Sequence, residues 1–136
     1  MANPSKGKGT RAETKVKRYF NQHGLPTERK ALAGSKDEGD LRTILPDGTE
    51  IAVEVKAGIQ TSNPSRTQMN RWKGQTIAEA LNSHCMAILV IVRYNRLFKD
   101  TEVWIPNTEE YVRYGWTMMH IDEFVKMMTQ QEEEEW

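Results

Sequence analysis

One pair of strand-like runs joined by a short turn constrains this chain more than any other feature. Ile51-Ala52-Val53-Glu54-Val55-Lys56 is apolar apart from its glutamate and its closing lysine. A run of that length suits a strand, and its near-continuity implies cover on both faces of a sheet. Alternation sends Ile51, Val53 and Val55 to one face and Glu54 with Lys56 to the other. Asp40 to Leu45 reads as the preceding strand, and Pro46-Asp47-Gly48-Thr49 has the composition of a turn joining the two. A hairpin of that length returns Asp40 alongside the Glu54 end, so that two carboxylates and an ammonium converge.

Such a cluster has an ordinary reading and a chemical one. On the exposed face of an antiparallel strand, Glu-x-Lys is common solvated charge, and so short a motif matches often by chance. In a strand covered on both faces, an uncompensated carboxylate is costly and needs a partner or a metal. Two carboxylates can hold a hard divalent cation such as Mg2+, and a lysine beside them can orient a water or stabilise charge developing on a phosphate. That combination points to phosphodiester hydrolysis.

The order of residues then becomes specific. Asp40 followed by Glu54-x-Lys56 resembles the PD-(D/E)xK nuclease superfamily. Lys6-Gly7, Glu13, a helix ending at His23-Gly24, Arg29, Ala33-Gly34-Ser35-Lys36, Asp40 and the Ile51-to-Lys56 run resemble the archaeal-type Holliday junction resolvases in order and approximate spacing. The match covers about the first 56 residues, and beyond them only the order of elements agrees. The resemblance implies that Asp40 and Glu54 are direct metal ligands and that Lys56 is the catalytic lysine. Glu13 would be a third acidic group, ligating the metal or positioning it, and Arg29 and Ser35 would touch the DNA backbone. Gly39 stands where the superfamily's name has proline, and Thr14 stands where these resolvases often carry a basic residue. Phosphate contact by the first helix would then fall to Arg11 or Lys15.

At 136 residues, with 38% hydrophobic and 28% charged residues, the chain suits one polar globular domain with a single core. No run approaches the roughly 18 apolar residues of a membrane span, and the first residues lack an apolar signal region. An intracellular, cytoplasmic or nucleoid-associated protein is expected. The single Cys85 agrees with a reducing compartment, and its place at the head of an apolar strand suggests a buried thiol. The formal net charge is zero, yet the charges are segregated. Lys6, Lys8, Arg11, Lys15, Lys17, Arg18, Arg29, Lys30 and Lys36 crowd the first third, whereas acidic residues dominate from Asp100 onward. A phosphate-binding face on an acidic body has this asymmetry, although a solvated basic helix would share it.

Residues 1–9 read as a flexible basic arm, 10–129 as the domain, and 130–136 as an acidic tail. Thr10 with Glu13 forms a capping-box pattern, a structural role that competes with metal binding. Val16, Tyr19 and Phe20 share a helix face, and His23-Gly24 supplies a stop. Arg29 to Ala33 suggests a first strand and Gly34 to Gly39 a loop, while Ala57 to Ser65 is a polar linker at the mouth of the cluster. A second helix is expected over Arg66 to Ser83, with an apolar stripe of Met69, Trp72, Ile77, Ala80 and Leu81. Further strands are expected at Met86 to Val92, Glu102 to Ile105 and Trp116 to Ile121, then a short helix from Asp122 with Phe124, Val125 and Met128 inward. Met118, Met119, Met127 and Met128 read as core filler.

The fold class expected is therefore α/β, a mixed central β-sheet flanked by helices, and the resemblance makes it restriction-endonuclease-like. The activity it implies is a Mg2+-dependent endonuclease, with Mn2+ as a substitute, acting on branched DNA and resolving four-way junctions as a homodimer. The candidate DNA contacts are Lys6, Lys8, Arg11, Lys15, Arg29, Ser35, Lys36 and Arg66. Another nuclease of the same superfamily, cutting duplex, flap or nicked DNA, would carry identical catalytic residues. A non-catalytic DNA-binding module would not need Asp40, Glu54 and Lys56 intact.

Overall fold

Burial on both sides of the central strands organises the molecule. The structure, a computed structural model, describes residues 4–30, 40–107 and 115–130, with the backbone alone described for residues 4–9 and 40. Along the chain come α1 (Pro4–Gln22), β1 (Thr27–Lys30), β2 (Asp40–Ile44), β3 (Glu50–Lys56), α2 (Arg66–Ser83), β4 (Met86–Ile91), β5 (Glu102–Pro106), β6 (Trp116–His120) and α3 (Ile121–Thr129). The strands form one six-stranded sheet in sequential order. All neighbours are antiparallel except β3 and β4, which run parallel and are joined through α2. A parallel pair needs such a crossover, and a helix supplies it. The mixed α/β sheet expected from the sequence is the one observed.

One face of the sheet holds the main core. Val16 and Phe20 of α1 and Phe124, Val125 and Met128 of α3 pack against Leu41, Ile51, Val53, Ile88, Val90 and Val103. Thr27 and Thr43 are buried on this side because their hydroxyls satisfy one another at 2.7 Å. On the other face α2 approaches closely through the small trio Ala52, Ala80 and Ala87, and Trp72 packs with Leu89 and Ile91. Ala87 to Ile91 are buried, as befits the sheet centre.

Several boundaries differ from the expectation. α1 begins at Pro4, so residues 4–9 are helical where an arm without periodicity was expected, and Thr10 lies inside the helix rather than capping it. Proline suits a first helical turn because its missing N–H would have had no partner there, and each residue joined to an established helix adds a hydrogen bond. The first strand is Thr27–Lys30 rather than Arg29 to Ala33, and residues 31–33 lie outside the described segments. So do the expected 34–39 loop, apart from Asp40 that follows it, and tail residues 131–136. At the end of α1, Gly24 takes φ 91° and Leu25 N–H reaches Phe20 O at 2.9 Å, while His23 Nδ1 lies 2.8 Å from Tyr19 O. The expected stop is formed.

The inward stripe of α2 also differs. Trp72, Thr76 and Ala80 are buried, whereas Leu81 is 64% exposed. Thr76 can take the inner position because its hydroxyl donates to Trp72 O at 2.9 Å. Of the four methionines expected as filler, Met128 is buried and Met119 packs at the core's edge, but Met118 and Met127 are exposed. Glu123 accepts from His120 N–H at 2.9 Å at the start of α3, a capping interaction placed at this helix rather than at α1. Among the described residues no helix is long and apolar enough to cross a membrane.

Candidate functional site

The hairpin turn sets the register that the site depends on. Gly48, at φ 91°, occupies the left-handed position that disfavours a side chain, and Gly48 N–H donates to Leu45 O at 2.8 Å. Asp47 accepts from Thr49 N–H at 2.9 Å. The resulting pairing is Leu41↔Val53, Arg42↔Ala52, Thr43↔Ile51 and Ile44↔Glu50. Continued by one residue, it sets Asp40 opposite Glu54. Because Leu41 and Val53 share the core face, the Asp40 and Glu54 positions share the α2 face.

Lys56 is on that face too, and its Nζ lies 3.2 Å from Glu54 Oε2. Their side chains are 20% and 24% exposed, buried enough to be held yet reachable from solvent. Beneath them Glu54 pairs with Leu89 and Lys56 with Ile91, both buried. Oxygen donors of this kind suit a hard divalent cation, and the ammonium of Lys56 partly compensates the charge of Glu54. The helix over the parallel pair runs back along the strands, with Ala80 near Ala52 and Ala87, and Trp72 near Leu89 and Ile91. Its first turn, capped by Ser65 Oγ accepting from Gln68 N–H at 3.1 Å, therefore lies toward the Lys56 end of β3.

Glu13 occupies a different setting. Its Oε1 lies 3.2 Å from Arg29 Nη2, with the carboxylate side chain only 12% exposed. Arg29 pairs with Leu41 in the sheet, which places it on the α1 face, opposite to Glu54. Lys30, its neighbour, is the residue paired with Asp40. Glu13 thus approaches the same corner of the sheet from the other side. Among the described residues no three His, Cys, Asp or Glu side chains gather as a metal cluster, and the Asp40 side chain is not among those described.

The basic candidates scatter by role. Arg11, Lys15 and Arg18 are exposed and share one face of α1 at helical spacing. Lys6 and Lys8 belong to the first turns of that helix, with only their backbone described. Arg66 is exposed at the start of α2, Arg29 is engaged with Glu13, and Ser35 and Lys36 lie outside the described residues.

A polar cluster that the sequence reading missed sits just beyond Lys56. Thr61, in a 3₁₀ turn at Ile59–Thr61, is fully buried. Arg93 donates to Thr61 O at 2.8 Å and grips Glu102 through two bonds, at 2.9 and 3.1 Å. Trp104 Nε1 donates to the same carboxylate at 3.1 Å. The one signal in the sequence was the alternation that puts Glu102 and Trp104 on one face of β5.

No family model matches the chain, and no curated protein matches its sequence significantly. Among solved structures, it is similar to Hjc, a Holliday junction resolvase of the archaeal hyperthermophile Archaeoglobus fulgidus. The TM-score is 0.50 and the identity 18%, over 84% of this chain and 89% of that one. The likeness shows a shared α/β fold, a mixed β-sheet flanked by helices as the sequence led one to expect.

Proposed function

We propose that the chain is a metal-dependent, structure-selective DNA endonuclease that resolves four-way junctions. One observation carries this reading: Lys56 lies 3.2 Å from Glu54 at the solvent-reachable end of a buried strand, with Asp40 at the facing register position. The fold shared with a junction resolvase supports it. Asp40 and Glu54 would hold Mg2+ or Mn2+, and such a cation, when bound, polarises the scissile phosphate and lowers the pKa of its water. Lys56 would leave its ion pair with Glu54 and turn its ammonium to the phosphate, where negative charge develops. Glu13 would tune the corner from the opposite face, through Arg29. Arg11, Lys15, Arg66 and the basic start of α1 would contact phosphates, which positions DNA without identifying its bases. Resolution needs symmetric cuts on opposed strands, so two copies related by a two-fold axis are expected on one junction.

The test is purified protein with Mg2+ on labelled four-way junction, flap and linear duplex. Preferential paired cutting of the junction is expected. Preference for flap or duplex would retain the catalytic assignment and replace the substrate. Binding without cleavage on all three would leave a non-catalytic DNA-binding module.

A further inference from the structure

The segment leaving the candidate site is pinned to the end of β4 at successive points. Lys56 O accepts from Val92 N–H at 2.9 Å, Thr61 O from Arg93 at 2.8 Å, and Thr61 Oγ1 from Tyr94 N–H at 2.8 Å. The same hydroxyl donates to Gly58 O at 2.8 Å, closing the 3₁₀ turn from inside. Glu102 holds the guanidinium with both oxygens, and its side chain is 13% exposed. A forked, charge-assisted pair of this kind fixes direction as well as distance. A linker of turn-forming residues would otherwise sample many conformations, and here its conformation is specified by a residue of β5 acting through Arg93.

Resting on the nuclease reading above, we propose that Arg93 is a positioning residue for the cleavage reaction. The Thr61–Arg93–Glu102 clamp holds the β3–α2 connection rigid, and so fixes both the backbone exit of Lys56 and the approach of the first turn of α2 to the DNA. Neither Arg93 nor Glu102 touches the reacting phosphate. A misplacement of about 1 Å at a catalytic group can cost on the order of a hundredfold in rate, so a remote clamp can matter.

Two variants test it, each read in two ways. Arg93→Ala removes the grip, and Thr61→Val keeps the side-chain shape while removing the hydroxyl bonds. In the metal-free protein, amide exchange across residues 57–62 is expected to quicken in both variants, since local opening governs exchange. With saturating junction and Mg2+, the single-turnover rate per folded molecule is expected to fall by about tenfold or more, with Kd changed by no more than about twofold. Arg93→Lys, which keeps the charge opposite Glu102 but loses the fork, should restore part of the rate. Unchanged exchange in both variants overturns the clamp whatever the activity. Faster exchange with an unchanged rate overturns the positioning role. A wild-type chain that cleaves no DNA sinks the nuclease reading and the positioning role with it, while the exchange data score the clamp separately.

Discussion

The two faces of the sheet have been built to different specifications. On the α1 and α3 face, Val16, Phe20, Leu41, Ile51, Val53, Ile88, Val90 and Phe124 form an apolar core. On the α2 face the helix is admitted by alanines, and charge surrounds the contact. Arg42 reaches Glu79 at 3.4 Å and Ser83 at 2.8 Å, Lys56 pairs with Glu54, and Arg93 with Glu102. The same strands contribute to both faces through alternate residues. A rigid backbone held from one side can therefore present carboxylates on the other without depending on them for its stability.

That division is most directly broken at the core. Phe124 is fully buried and tilted against Phe20 with ring centroids 5.8 Å apart. Phe124→Ala should cost about 3–5 kcal/mol, read as a lowered denaturation midpoint, while the fraction still folded cleaves DNA normally. Loss of activity in excess of the loss of folded protein would show that the faces are coupled.

The complementary change is Glu54→Gln or Asp40→Asn on the α2 face. Each keeps the shape and removes a ligand charge, so cleavage should fall by about 10²–10³-fold. The melting temperature should stay near that of the wild type. Junction binding should persist or tighten, because negative charge near phosphate is gone. A variant that cleaves at the wild-type rate in Mg2+ would remove the residue from the site.

Glu13 tests whether the α1 side contributes chemistry at all. Glu13→Gln retains an acceptor for Arg29 but gives up the charge of a carboxylate held 3.2 Å from that guanidinium. Cleavage should fall by roughly tenfold, a smaller effect than at Glu54, with little change in thermal stability. Full activity with a lowered melting temperature would confine Glu13 to pairing with Arg29.

How far the sequence reaches follows the same division. Local patterns carried the hairpin, the Glu54–Lys56 face and the inward side of α3, because alternation, turn composition and helical spacing are properties of neighbouring residues. The sequential strand order with its single parallel pair depends on contacts between distant segments, which no local pattern encodes. The clamp illustrates the limit: Thr61, Arg93 and Glu102 belong to three segments, and a buried threonine in a turn-rich linker resembles any solvated one. Leu81 and Met118 failed in the opposite way, since apolar character signals burial only where a neighbour exists to provide it. Glu13 was placed on the right helix, but its partner Arg29 is found only once β1 lies beside α1.

The smallest effect concerns the turn that brings Asp40 and Glu54 into register. Thr49 N–H, donating to Asp47 at 2.9 Å, holds that exposed carboxyl below its usual range. A depressed folded pKa makes the contribution to stability fully present above the unfolded value, near 4, and lost as pH falls through the lower folded value. Asp47→Ala should therefore melt slightly below the wild type at neutral pH, with the gap closing as the pH is taken below about 4. Cleavage at neutral pH should change little, because Gly48 and the buried β2–β3 pairs Leu41↔Val53 and Thr43↔Ile51 continue to hold the register. Paired melting curves of the two proteins across acidic pH provide the measurement. A gap of constant size would mean that Asp47 acts through backbone preference rather than charge, and a large loss of cleavage at neutral pH would mean that the turn, more than the strand pairing, positions the α2 face.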